Sequence, residues 1–404
     1  MGRVEAYTAY HHLRAVAGTG VIAGVFILNE YVTRKGLGGS RWHILALLLI
    51  PALGQFVAVF WNPFNPGAVL GKRPFRTVAI PVHLLLLLPL LGLLPGEATP
   101  LVALLALCGL IQMFLVPLQN GILARNYGAA TRGRRYGLAH AVQALAIVIV
   151  SVPAGRLLDA YPDAWRGLYA LAAVAAVYAY LHWSRLKRRR APPRPAGIRD
   201  HHSPWEALRK DASFRYFELC FMLYGLGFLM LQPVLPLYLI DERGITYTQV
   251  GQARGAMFWA TMVVVAPFLG RLCDRIGVLK LGALSFLTLS LFPLLLILVP
   301  GDLGLYLAFG VYGLGMSGVF LVWTLGPMHM AGPRDPLPYL NAHMGLVGFR
   351  ALVGLVGGTL LQQHLGSRAV FVVVIALEIV AAVLILRLAR RTPVAPRPSS
   401  PGPR

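Results

Sequence analysis

Apolar residues in this chain come in long continuous runs, each about twenty residues in length and each closed by a short polar or glycine-rich turn. A helix needs roughly 20 apolar residues to cross the hydrocarbon core, and in lipid only helices and closed barrels satisfy their own backbone groups. The runs do not alternate, which argues against a barrel. Segments 1 to 6 fall at residues 15–32, 44–61, 78–94, 101–123, 138–158 and 167–183; segments 7 to 12 fall at 217–240, 250–269, 281–299, 303–325, 341–361 and 370–386. The pattern predicts an all-α membrane protein of twelve transmembrane helices in two pseudo-symmetric six-helix halves. Prolines within the runs (Pro81, Pro89, Pro153, Pro267, Pro293) are tolerated in a bundle, where neighbouring helices and water satisfy the freed carbonyls.

Only 13% of the 404 residues are charged and 57% are hydrophobic, so the solvent of this chain is a lipid bilayer. A formal net charge of +22 would suit a nucleic-acid binder, but such proteins line a groove with basic residues interleaved with stacking aromatics. Here lysine and arginine sit in short loops between apolar runs, and no nucleic-acid partner is expected. About 28 of the 37 lie in the N-terminus, the even-numbered loops and the C-terminal tail, which is the cytoplasmic pattern. Both termini are therefore expected on the cytoplasmic face of a cell inner membrane. Cys108, Cys220 and Cys273 each lie in or beside an apolar run, so neither a disulfide framework nor a metal-binding spacing can be built. The first run leads straight into a second without a cleavage pattern and is expected to remain as a signal anchor.

Residues 1–185 form the N-terminal half and 213–391 the C-terminal half. Between them, residues 186–212 hold Arg188, Arg189, Arg190, Arg194, Arg199, Arg209 and Lys210, with Pro192, Pro193 and Pro195. Within this basic cytoplasmic linker Ser203-Pro204-Trp205-Glu206 has the form of a capping box, which predicts either a short amphipathic helix on the inner leaflet or a disordered tether near anionic lipid. The tail, residues 392–404, is rich in proline, serine and arginine and is expected to be disordered. The halves repeat weakly at an offset of about 207 residues. Tyr31 then falls on Tyr238, and the Gly36 to Ser40 turn on Gly244 to Thr248. Glycine clusters mark segments 1, 7, 10 and 11 as inner helices, whereas segments 3, 9 and 12, rich in leucine and valine, should face lipid, with segment 6 the weakest member of that set.

Gly270-Arg271-Leu272-Cys273-Asp274-Arg275-Ile276-Gly277, followed by Val278-Leu279-Lys280, closes segment 8. It resembles the G-x-L-x-D-R-x-G-R/K-R/K signature of the major facilitator superfamily, at the position of its second copy. Pro233 to Leu239 in segment 7 also looks like that superfamily, as do Arg125-Asn126-Tyr127 with Arg132 to Gly137, and Gly155-Arg156-Leu157-Leu158-Asp159 with Trp165-Arg166. The resemblance covers essentially the whole chain. It implies a transporter working by alternating access, with Asp274 latching the cytoplasmic side onto backbone N–H groups of a facing helix or onto Arg134 or Arg135. Gly270 and Gly277 would permit the tight turn and close approach, and Arg275 completes the motif. The first-half copy departs from the pattern: Asn62 to Gly67 and Gly71-Lys72-Arg73 contain no acid, so the halves are expected to gate unequally.

A charge inside the membrane costs at least about 2.5–3.5 kcal/mol, so each one asks for a reason. Arg254 in segment 8 and Arg350 in segment 11 either bind an anionic group of a substrate or pair structurally with backbone carbonyls or with Glu30. Gln112 and Gln119, His140 and Gln143, His343 and Arg350, and Tyr224 and Gln232 recur at helical spacings, either lining a cavity or joining helices; Gln55 reads as structural. Proton coupling needs a group that changes charge, and Glu30 is the candidate; Glu218 and Glu378 can instead pair locally, and His140 and His343 are possible switches. The leading expectation is a monomeric secondary active transporter of a small organic solute, anionic or amphiphilic, with export leaned to and no cofactor, metal or covalent chemistry. A membrane-embedded transferase would need a catalytic grouping that the sequence does not display, since His11-His12 and His201-His202 read as solvated. A transport-inactive sensor or scaffold on the same fold is the other alternative.

Overall fold

The computed structural model describes residues 3–61, 73–187, 204–332 and 334–391. Among these residues every regular element is helical, and nine helices are long and apolar enough to cross a membrane. The last, Pro338–Arg391, is two spans in one: Gly366, at φ +81°, breaks the helical backbone midway, a conformation that glycine adopts at little cost. With the shorter apolar helices around Arg41–Gly54 and Phe75–Leu87, the segments accommodate twelve crossings. They are α1 (Arg3–Gly36), α2 (Arg41–Trp61), α3 (Phe75–Leu87), α4 (Ala98–Asn126), α5 (Ala129–Ala160) and α6 (Trp165–Arg185). The second half has α7 (Ala212–Glu242), α8 (Tyr247–Ile276), α9 (Val278–Leu298), α10 (Gly301–Ala331), α11 (337–365) and α12 (367–391).

Several helices outrun their apolar runs. α1 begins at Arg3 rather than near Ala15, and its polar first turns pack instead of dissolving. His11 and His12 are buried, at 6% and 4% exposure, which corrects the expectation of solvated side chains. His11 Nδ1 lies 2.7 Å from His182 Nδ1 at the end of α6, and His12 Nδ1 lies 3.0 Å from the Tyr127 hydroxyl. A hydropathy window stops at charge, but the helix continues wherever its next turn finds a packing partner. α3 shifts the other way and ends by Leu87, before Pro89 and Gly92, whose φ is +70°. Its start is widened into a π-turn, Phe75–Ala79, directly before Pro81, which has no N–H for the helical ladder.

Within the first half α1 packs on α5 and α6, and α2 on α4; within the second, α7 packs on α11 and α12, and α9 on α10. α9 buries Phe286, Leu289, Phe292 and Leu296 and exposes Leu284, Leu287 and Leu291, one face to protein and one outward, as a scaffold helix should. The halves meet where α5 packs on α8 and α2 on α11. At the first seam backbones touch: a Cβ at Gly251 would overlap the Ser151 carbonyl, and one at Gly155 the Tyr247 carbonyl. The duplication is visible at the C-terminal ends of α1 and α7, where π-turns Val32–Gly36 and Tyr238–Glu242 are each followed by a glycine of positive φ, Gly38 and Gly244. Arg34 and Asp241, which stand 207 residues apart, pair with one another at 2.9 Å.

Of the linker, Pro204–Lys210 is a short helix with an exposed Trp205, as the amphipathic alternative required. Residues 188–203, the tail and loop residues 62–72, with the expectations attached to them, lie outside the described residues. The linker helix leads into Asp211, whose carboxylate caps α7 by accepting from the Phe214 N–H at 3.0 Å and from Arg334 Nη2 at 2.6 Å and the Tyr339 hydroxyl at 3.1 Å.

Gly251→Val should push α5 and α8 apart. In a background lacking the three native cysteines, disulfide yield between cysteines placed at Arg34 and Asp241 is expected to fall severalfold; an unchanged yield contradicts the seam. Burial would raise the Asp211 carboxyl, but the Phe214 N–H, Arg334 and Tyr339 outweigh it and hold it below its ordinary value. Its stabilisation is then full above the unfolded value of about 3.9 and lost as pH falls through the lower folded value. Asp211→Ala should cost about 1 kcal/mol at neutral pH, with its thermal-melt profile meeting the parent's only at that acid end.

Candidate functional site

The C-terminal end of α1 is irregular. Leu28 leaves the regular helix (φ −93°, ψ −2°), and the short turn Asn29–Tyr31 that follows carries Glu30. Across the seam, α8 opens with a π-helical stretch, Gly251–Met257, which carries Arg254. Such bulges re-aim side chains and recur at functional sites. Here Arg254 Nη1 donates to Glu30 Oε2 at 3.0 Å and Nη2 to Oε1 at 3.1 Å, a bidentate pair between the two halves. The carboxylate is 6% and the guanidinium 24% exposed. Arg254 Nη1 also reaches the Ile27 carbonyl at 3.4 Å. Beside the pair the Tyr31 hydroxyl is buried without a hydrogen-bond partner among the described residues, and Tyr169 donates to Asn29 Oδ1 at 3.0 Å.

Further polar contacts join the two halves at the same end as this pair. Arg34 grips Asp241 through Nε and Nη2 while its Nη1 donates to the Gly39 carbonyl at 2.8 Å. Lys35 Nζ donates to the Ile245 carbonyl at 3.1 Å, and Arg41 Nη1 to Gln362 Oε1 at 3.0 Å. Asp159, at the end of α5, accepts the N–H groups of Tyr247 at 3.0 Å and Thr248 at 2.7 Å. The next amide, Gln249, is taken by Thr246 Oγ1 in a capping box. The first turn of α8 is thereby satisfied, partly by the opposite half of the molecule, and its positive dipole end faces a carboxylate. The kind of contact expected of Asp274 is made here, at the other end of α8, by Asp159 of the Gly155 to Asp159 motif.

Arg350 sits elsewhere. It is 5% exposed, donates from Nη1 to the Phe221 carbonyl at 2.6 Å, and is boxed by Phe221, Tyr224 and Trp323 at 5.0, 5.5 and 5.6 Å from the ring centroids. Gly225 makes the room, since a Cβ there would overlap the guanidinium. Two turns earlier on α11, His343 Nδ1 faces both oxygens of Glu218 at 3.0 and 3.1 Å, with both residues buried. In this conformation Arg350 and His343 occupy the core of the second half, so the arginine uses the carbonyl pairing foreseen as the structural alternative.

The remaining candidates scatter. Gln232 Nε2 donates to the Tyr312 hydroxyl at 3.4 Å, and Tyr224 stacks on Phe286 at 4.3 Å. Gln112 contacts His83 at 3.3 Å, joining α4 to α3. Gln119 and Gln143 are half-buried, and His140 is exposed. In the Gly270 to Gly277 motif Gly277 takes φ +86° and returns its N–H to the Cys273 carbonyl, the tight turn foreseen, whereas open space surrounds Gly270. Asp274, Arg275 and Arg134 are exposed; Arg135 lies 3.9 Å from Glu5. Beneath the motif a cavity of about 380 Å³ is lined by Asp274, Gly277, Lys280, Leu325 and His329. Sequence reasoning missed the pairing roles of Asp159, Arg34, Asp241 and Tyr312, and missed Glu218 as the partner of His343; only the 207-residue offset could have joined Arg34 to Asp241.

The Major Facilitator Superfamily model matches residues 17–334 and 217–404. The chain belongs to the major facilitator superfamily. It is thus a multi-pass membrane protein of a transporter family. Solved structures of superfamily type share its fold. A point mutant of the nucleoside transporter NupG superposes with a TM-score of 0.73 at 12% identity, over 94% of this chain and 99% of that one. A POT family transporter in complex with a thioalcohol-conjugated peptide gives 0.71 at 13% identity, over 96% of each chain. None of the curated proteins compared with it matches the chain in sequence.

Glu30→Gln would strand Arg254 without its counter-charge. Because the guanidinium is a quarter exposed, the state in which this seam is closed should lose about 1–3 kcal/mol, less than a fully buried pair would cost. Labelling of a cysteine at Ser151 by an impermeant maleimide should rise about tenfold or more and return towards the parent rate in Glu30→Gln/Arg254→Gln. Equal labelling in all three would show that the pair does not hold the seam.

Proposed function

We propose that this superfamily member is a secondary active transporter that moves a small organic solute carrying a carboxylate or phosphate group by alternating access. The observation that carries the reading is the bidentate Arg254–Glu30 pair between the halves. A substrate carboxylate or phosphate offers the guanidinium the same two-oxygen geometry as Glu30 does. An anion entering from the cytoplasmic side competes with Glu30 for Arg254 and removes one of the bonds that keep the outer ends of α1 and α8 together. Binding then favours the outward-open state by as much as the anion prefers it, which is the thermodynamic requirement for a ligand to drive a conformational change. The remaining contacts, Arg34–Asp241 and Asp159 on the α8 amides, are exposed or half-exposed at one or both partners and individually weak, so they can yield once the central pair is released. The distribution of lysine and arginine supports cytoplasmic termini in an inner membrane, and the protein would act as a monomer.

Reconstitution into liposomes tests this, with imposed pH and charge gradients and a panel of labelled mono- and dicarboxylates, phosphate monoesters and drug-like cations. Arg254→Ala should lower flux of the transported anion about tenfold or more, with Arg254→Lys recovering part of it. Transport of cations alone, or parent-like flux in Arg254→Ala, would overturn the assignment.

A further inference from the structure

Along α6, Leu171, Val174, Tyr178, His182 and Arg185 recur at spacings of three and four and so share one face. The first three are exposed large hydrophobic side chains, a strip that suits contact with lipid chains. His182 and Arg185 continue the face to the end of the helix, where the apolar run stops. α1 crosses this face closely at Gly18, where a Cβ would press on the Ala175 carbonyl and the Tyr178 ring. Towards its start α1 then brings Arg14 and His11 to the same place, and His11 Nδ1 meets His182 Nδ1 at 2.7 Å. In that contact the accepting ring carries its own proton on Nε2, and neither Nε2 has a partner among the described residues.

The charges gathered here are of one sign. Arg14 and Arg185 are both within electrostatic reach of both imidazoles. Arg14 lies over the Tyr10 ring at 3.5 Å, Arg185 is exposed, and neither pairs with a carboxylate among the described residues. Lys187 lies over Tyr7 at 5.7 Å, and Tyr7 in turn meets His11 at 4.4 Å. α6 carries no acid. Glu5, the acid of the first turn of α1, is spent towards α5, on Thr131 Oγ1 at 2.6 Å and Arg135 at 3.9 Å. Like charges held together without a counter-charge repel one another, so the cluster calls for an anion. The apolar strip that runs on from it calls for a hydrocarbon chain, and a ligand with both parts is an anionic lipid.

We propose that His11, Arg14, His182 and Arg185 bind the phosphate headgroup of an anionic lipid, with one of its chains lying along Leu171, Val174 and Tyr178. The phosphate oxygens accept from the two guanidinium groups and from an imidazole Nε2–H. Tyr10 and Tyr178 flank the headgroup, the level at which amphipathic rings sit in a membrane. The bound lipid ties the start of α1 to the end of α6. The site lies within the first half, apart from Arg254 and Glu30, and stands whatever solute the protein moves.

Native mass spectrometry of the purified full-length protein tests this, with dioleoyl phosphatidylglycerol, dioleoyl phosphatidylcholine and soluble glycerol phosphate added in turn. Phosphatidylglycerol should be retained about tenfold more than either of the others. Arg14→Gln/Arg185→Gln should weaken its binding about tenfold or more, and Arg14→Lys/Arg185→Lys should keep most of it. Arg390→Gln/Arg391→Gln, which removes equal charge at the end of α12, should leave it unchanged. An equal loss in the α12 variant shows a diffuse attraction and overturns the site. Equal retention of phosphatidylcholine overturns the reading of headgroup charge, and equal retention of glycerol phosphate overturns the lipid as ligand. A photoactivatable phosphatidylglycerol in liposomes with the parent protein gives a second measurement that needs no variant. Its cross-links should fall on the peptides that hold Tyr10 and Tyr178; cross-links confined to other helices overturn the site.

Discussion

Every charge carried into the bilayer has to find its partner inside the protein, and the arrangement of this molecule follows from where those partners stand. At least about 2.5–3.5 kcal/mol per charge is at stake, more than a surface ion pair returns. Three solutions are visible. Glu30 and Arg254 meet across the seam, Glu218 and His343 meet inside the second half, and Arg350 is held by a backbone carbonyl and an aromatic box. The first can be undone only by moving one half against the other. The other two lie within the second half.

The duplicated architecture brings residues of the two halves together as partners. Because the halves are related by pseudo-symmetry, residues one repeat apart face each other near the axis, as Arg34 and Asp241 do. α5 and α8 run antiparallel along the seam, and each ends in Gly-Arg-Leu-x-Asp. At the end of α5 the aspartate satisfies the first amides of α8. Glycine at the seam allows backbones to touch there, so a modest rotation breaks many contacts together, the bistable behaviour that alternating access needs. Around the Arg350 box, by contrast, large rings fill the space between α7, α10 and α11.

Hydrophobic pattern alone determined the helical membrane fold, its division into sixes and the offset of the repeat, because a bilayer imposes one dominant rule on every residue it contacts; the loop motifs added the family. The same pattern placed Arg254 and Arg350 as charges in need of explanation. It misjudged helix ends, as at Arg3 and Leu87, since these depend on capping, proline and packing rather than on hydropathy. Partners were decided by tertiary structure alone. Spacing along one helix is fixed by covalent geometry, so His343 and Arg350 could be put on one face from the sequence. Which carboxylate lies opposite depends on the rotation and depth of a second helix, set by packing over many residues, and so Glu218 and Asp159 became visible only in three dimensions, whereas Glu30 was already one of the partners the sequence offered the two arginines.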